Sequence, residues 1–299
     1  MSEHLKGLLI TALGVMFIVP DSLFIRLIAA DPPTIAFWRG LSSGVLIALG
    51  VLAVKGLAPF LAVLRAGPAA FIYMVLVGAT PPGFVLAVSW TSVANVVFII
   101  AAMPVFAALF GRLFLGEPIS LRMVVTMAGV FAGLTLIARG SAATAGASWQ
   151  GDLVALAVAI SFAGALTAVR RVRATSMVPA IPIAYIGAAL VIWPFATPAA
   201  AVPAQWSLVL AHGACIAVAT SLMTLGPRYI TGAEVALLIL LESVLAPLLV
   251  WSVLGENPGP WALAGGAVVI GVLFASNLWA LRMRRRMRVR PQPRVGPPA

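Results

Sequence analysis

Long apolar stretches alternate with short polar breaks along the whole chain. They fall near 5–28, 32–54, 66–88, 91–113, 119–138, 150–171, 178–197, 205–226, 230–254 and 259–281. A helix needs roughly 20 apolar residues to cross the hydrocarbon core of a bilayer, and each stretch meets or approaches that length. Barrel strands would be about half as long and would alternate apolar with polar positions. Lipid offers no partner to an open backbone, so the stretches must be helices. The pattern predicts an all-α polytopic membrane protein with ten transmembrane helices.

The breaks carry a second pattern. The segment "RGSAATAGASWQ" between the fifth and sixth stretches is rich in small residues and reads as a flexible link at the midpoint of the chain. Sliding the chain by 139 positions lays Ala94, Val96, Ile100, Val105 and Leu115-Gly116-Glu117 on Ala233, Val235, Ile239, Val244 and Leu254-Gly255-Glu256. Gly7 and Arg26 correspond to Gly151 and Arg170. The expected organisation is a first five-helix repeat at 5–138, an outer linker at 139–149, a second repeat at 150–281 and a basic, proline-rich tail at 282–299. Five is odd, so the second repeat must enter the membrane upside down relative to the first. Such inverted repeats place a site at their interface and permit two mirror-related states. Glu117 and Glu256 then lie on opposite faces. Each is expected to follow a helix-ending glycine and to meet the positive dipole end of the next helix.

Composition agrees with the pattern. The 299 residues are 62% hydrophobic and 9% charged, with mean hydropathy +1.11, far from the roughly 25% charged residues of soluble chains. The net charge of +11 is a matter of topology rather than of nucleic-acid binding. With the N-terminus inside, sixteen basic residues fall in inner loops and tails, and only Arg26 and Arg139 fall outside. That asymmetry predicts a multi-pass inner (plasma) membrane protein with both termini cytoplasmic. The run "RMRRRMRVR" reads as an anchor touching anionic lipid. Cys215 is the single cysteine and His4 and His212 are the two histidines, too few for a metal or nucleophile–base constellation. That scarcity argues against enzyme activity, and no cofactor is expected; no phosphate-binding glycine loop is present, so ATP is not expected to be the direct energy source.

The copies "MPVFAALFGRLFLGEP" and "ESVLAPLLVWSVLGEN" resemble the paired repeats of the drug/metabolite transporter superfamily, EamA type. "QGDLVALAVAISFAGALTAVRR" is similar to the sixth helix of that family, and "DPPTIAFWRG" to its second, with an arginine where Arg39 stands. The resemblance covers roughly residues 5–281. It implies ten helices, termini inside and small-molecule transport, often export of amino acids or other metabolites. The second copy departs from the first where Pro104 becomes Ser243.

Charges inside spans are expensive and are functional candidates by default. Asp21 and Arg39 each lie about seven residues from the outer ends of helices 1 and 2, roughly 10 Å deep at 1.5 Å per residue. They can pair with each other, or Arg39 can exchange Asp21 for a substrate carboxylate through its planar fork. Glu242 falls near mid-membrane in helix 9 and is a candidate for a substrate amine or a coupling proton. Asn95 and Glu234 occupy equivalent repeat positions and are candidate gate residues. Trp38, Trp90 and Tyr73 are candidates for an apolar substrate pocket. Pro20, Pro81, Pro82, Pro104 and Pro247 are expected to break helices and expose carbonyls to a cavity, with Pro81 and Pro82 kinking or unwinding helix 3. The function these features predict is secondary transport of a small amphipathic or zwitterionic metabolite by a monomer or homodimer. A channel-like conduit or scramblase is the alternative, and an intramembrane enzyme is less favoured.

Overall fold

The computed structural model describes residues 2–141, 147–172, 175–201 and 204–289. Among them every element is helical: α1 Glu3–Ile18, α2 Asp21–Leu27, α3 Pro32–Lys55, α4 Ala58–Leu64, α5 Pro68–Trp90, α6 Val93–Ala101 and α7 Met103–Leu115. There follow α8 Leu121–Ser141, α9 Trp149–Arg171, α10 Ala180–Ile192, α11 Pro198–Ala201, α12 Trp206–Leu225, α13 Gly232–Leu254 and α14 Gly259–Val289. Side-chain oxygens of Ser2, Asp31, Ser92, Ser148 and Thr231 cap the starts of α1, α3, α6, α9 and α13. Each supplies an acceptor to a first-turn N–H that has no partner within its helix.

Nine described helical units are long and apolar enough to cross a membrane. The seventh predicted span is shorter than expected, because the helix from Ala180 ends by Phe195. Pro194 tightens its last turn into a 3-10 helix, Trp193–Phe195. Two spans are interrupted. Proline at position 20 separates α1 from α2, and proline at 104, in the first turn of α7, follows the break at Ala102. Pro81 and Pro82 lie inside a continuous α5, so of the two expected outcomes, kinking and unwinding, the helix does not unwind. Pro81 has no N–H for the Val77 carbonyl, but the Thr80 hydroxyl donates to that carbonyl at 2.7 Å and keeps it satisfied. Pro247 likewise lies inside an unbroken α13. The link at 142–146 and the tail from 290 onward lie outside the described residues.

Packing repeats with the sequence. The first-half units α1–α2, α3, α5, α6–α7 and α8 correspond in order to α9, α10, α12, α13 and α14. Exchanging the two sets leaves the main contacts unchanged: α1 packs on α12 as α9 packs on α5, and α3 packs on α12 as α10 packs on α5. The pairs α3–α10, α6–α13 and α8–α14 map onto themselves. The correspondence reaches single residues. A Cβ on Gly7 would meet Tyr229 and Ile230, and one on Gly151 would meet Trp90 and Thr91 at equivalent places. Large apolar side chains such as Leu9, Phe71, Val125 and Val191 point outward, as a lipid-facing surface requires.

Candidate functional site

Three polar side chains converge on the crossing of α2, α3 and α12. Asp21 opens α2 directly after the break at Pro20, which turns its carboxylate inward. Arg39 lies two turns into α3 and donates to Asp21 through Nε at 3.0 Å and Nη2 at 2.5 Å. His212 of α12 places Nε2 2.7 Å from the same Oδ1. A carboxylate oxygen accepts, so that nitrogen carries the proton. All three are buried, with side-chain exposures of 7% or less. Phe24 stacks on the His212 ring at 5.4 Å, and the Arg39 guanidinium lies 5.4 Å from the centre of the Phe84 ring. The aromatic faces shield the charges from solvent and raise the strength of their pairing.

The triad joins the two halves. Asp21 and Arg39 belong to the first, and His212 to the second. Arg39 and His212 also line a narrow crevice with Ile28, Thr34, Ile35, Trp38 and Val209, and in this conformation it has no room for a water molecule. Trp38 forms one wall, its Nε1 donating to the Pro198 carbonyl at 3.3 Å and its ring edge meeting Trp206. Glu242 of α13 is half-buried and lies within electrostatic reach of Asp21 and Arg39. It makes no hydrogen bond or ion pair among the described residues.

The other sequence candidates separate from this point. Trp90 is 47% exposed at the end of α5 and lines no crevice with Arg39; its indole faces outward, and its carbonyl accepts from Ser148. Tyr73 packs with Val77, Ala165, Ile181 and Tyr185 in a different cluster. Asn95 is buried at the end of α6 nearest Arg26, donating to Asp152 at 3.0 Å and Ser141 at 2.8 Å. Thr91 donates to the same Asp152 oxygen at 2.8 Å, and Ser141 bonds the other. Glu234 stands at the opposite face, in a capping box with Thr231 and 2.8 Å from His4. Of the prolines, Pro20 borders the triad; Pro247 lines a second, smaller crevice with Val93, Ala94 and Glu256.

Sequence reasoning missed His212 and Asp152. The signal for His212 was depth: it lies six positions into α12, much as Asp21 and Arg39 lie about seven from their helix ends. Glu256 also departs from expectation. It accepts from the Val93 N–H at 2.8 Å, so it meets the start of α6 in the other half rather than that of the following α14.

The family model of the EamA-like transporter family matches residues 5–139. A solved crystal structure superimposes with a TM-score of 0.64 at 20% identity, covering 93% of this chain and 99% of its own. That likeness is one of fold. No curated protein matches the chain.

Proposed function

We propose, from the match of residues 5–139 to the EamA-like transporter family, a family of the drug/metabolite transporter superfamily, that the chain is a secondary transporter of a small amphipathic or zwitterionic metabolite. In this reading the two halves rock about the triad and expose it to each side of the inner membrane in turn, with export as the net direction. The face that bears Lys6, Lys55, Arg112 and Arg170 is cytoplasmic, because basic loops are retained inside. The arginines of the tail hold anionic lipid.

The observation that carries the reading is the buried, crevice-lining Arg39 held by Asp21, which also accepts from His212, at the junction of the halves. A guanidinium already oriented as a fork can trade one carboxylate for another at little cost in ordering. A substrate carboxylate takes the place of Asp21, and Asp21 keeps its bond from His212. Glu242, unpaired and near the same charges, accepts the substrate amine or a coupling proton. Trp38 covers the apolar part of the substrate.

Counterflow in proteoliposomes tests this proposal. Preloaded unlabelled amino acids or related zwitterions are expected to accelerate uptake of the labelled compound, with saturation. Arg39→Lys, which keeps charge but loses the fork, and Glu242→Gln are expected to lower the rate at least about tenfold. Flux that does not saturate and shows no counterflow indicates a conduit and overturns the carrier reading. Full activity in both variants overturns the site.

A further inference from the structure

Arg26 ends α2 in the first half and pairs with Glu256, which follows α13 in the second; Nε and Oε2 are 2.9 Å apart, close but not in line for a hydrogen bond. Arg170 ends α9 in the second half and donates to Glu117, which follows α7 in the first, at 3.0 Å. The two pairs are the same pair. Arg26 and Arg170 occupy equivalent repeat positions, as do Glu117 and Glu256. Both glutamates follow a glycine in the left-handed conformation, Gly116 at φ 69° and ψ 15° and Gly255 at φ 70° and ψ 12°. That cap turns the chain sharply off the helix end and aims the next side chain back across the interface. Inversion puts the pairs on opposite membrane faces, and each ties one half to the other.

We propose that Arg26–Glu256 and Arg170–Glu117 are paired latches, one closing each face, that open alternately during the rocking motion. The inference rests on the alternating-access reading given above. Both latches are closed here, which matches a crevice too narrow for water. Their surroundings differ. Arg26–Glu256 is about one-quarter exposed, and it is reinforced by Arg26 Nη2 donating to the Thr91 carbonyl at 3.0 Å and by the Val93 N–H on Glu256. Thr91 leads on to the buried Asp152 cluster, so this latch engages six segments. Arg170–Glu117 is nearly half exposed. Arg171 supports it by donating to the Phe114 carbonyl at 2.6 Å. Exposed ion pairs are individually weak, which suits a contact that must break in every cycle. A small bias on a near-balanced equilibrium still moves its populations severalfold. The Glu256 face is therefore the one held shut more firmly.

Side-specific thiol labelling tests the latches without any substrate. A cysteine is placed in the crevice by Val209→Cys on a Cys215→Ala background, and a membrane-impermeant maleimide is added to right-side-out or inverted vesicles. Glu256→Gln is expected to raise labelling about fivefold from the face that bears Glu256, and Glu117→Gln to raise it from the other face. The exchange Arg26→Glu with Glu256→Arg is expected to bring labelling part of the way back to the parent rate, because the ion pair returns while the bonds to Thr91 and Val93 do not. Glu256→Asp, which shortens the reach but keeps the charge, provides a second variant with a smaller rise if Glu256→Gln does not fold. Unchanged labelling in folded variants, or a rise from the same face in both, overturns the proposal. Wild-type counterflow with flat labelling would sink the latches alone, whereas labelling as expected with no flux would sink only the transport reading.

Discussion

Asp21 accepts from Arg39 twice and from His212 once, so removing Asp21 leaves two buried donors unmatched, and removing Arg39 leaves a buried carboxylate with His212 alone. Breaking a buried ion pair from one side costs about 3–5 kcal/mol, whereas replacing the whole set by apolar groups is often neutral. Asp21→Ala is therefore expected to lower the thermal midpoint in detergent more than the double variant Asp21→Ala with Arg39→Met. Equal losses would show that the pair contributes nothing as a pair. At the membrane boundary Asp31 behaves differently. Desolvation raises its pKa, but hydrogen bonds from Thr34 and Thr197 outweigh it and hold the carboxyl below its ordinary value. A depressed folded pKa contributes stability above the unfolded pKa and loses it as pH falls through the folded one. Asp31→Ala is expected to cost about 0.5–2 kcal/mol at pH 7, the usual worth of an N-cap, and less below about pH 4. A penalty that does not change with pH would remove the carboxylate from the explanation.

At the scale of elements, the sequence located helices well and misjudged what prolines do to them. Span existence follows from hydrophobic length, which depends on the solvent rather than on tertiary contacts. A proline's effect depends on what becomes of the freed carbonyl, which is a matter of neighbours. Pro20 and Pro104 stand at real breaks, but Thr80 repairs the bond that Pro81 removes. Thr80→Val is expected to cost about 1 kcal/mol and to loosen α5 around Val77, read as faster amide exchange there. No change in exchange would mean that the hydroxyl is incidental. The crossing of α8 and α14 was equally hidden from sequence. Cβ atoms on Gly133 and Gly265 would come within 2.8 Å and 2.6 Å of each other's carbonyl oxygens, so only glycine allows the backbones so close. Gly265→Ala is expected to cost about 1–3 kcal/mol by forcing the pair apart. Unaltered stability would mean that the crossing relaxes freely.

For the whole molecule, a symmetric frame carries an asymmetric site. The Leu-Gly-Glu match stands out in the sequence because Gly116 and Gly255 both take the left-handed conformation, a constraint that survives among interchangeable apolar letters. The triad was legible only in part. Asp21 and Arg39 announced themselves as charges in apolar runs, whereas a single histidine in α12 gave no clue to the helix it would face. Its counterpart 139 positions earlier is Tyr73, which packs among apolar residues, and the position equivalent to Asp21 is Ala165. The first half thus holds Asp21 and Arg39, while helices of both halves pack around them. That division requires the inverted topology to be real. The loop at Leu57 and the loop at Thr175 then lie on the same face, although they belong to opposite halves, and Ala29 and Asn257 lie on the other. Single cysteines at these four places, on a Cys215→Ala background, are expected to react with an impermeant maleimide in those two groups. If Leu57 instead grouped with Asn257, the halves would be parallel, and two latches on opposite faces would be impossible.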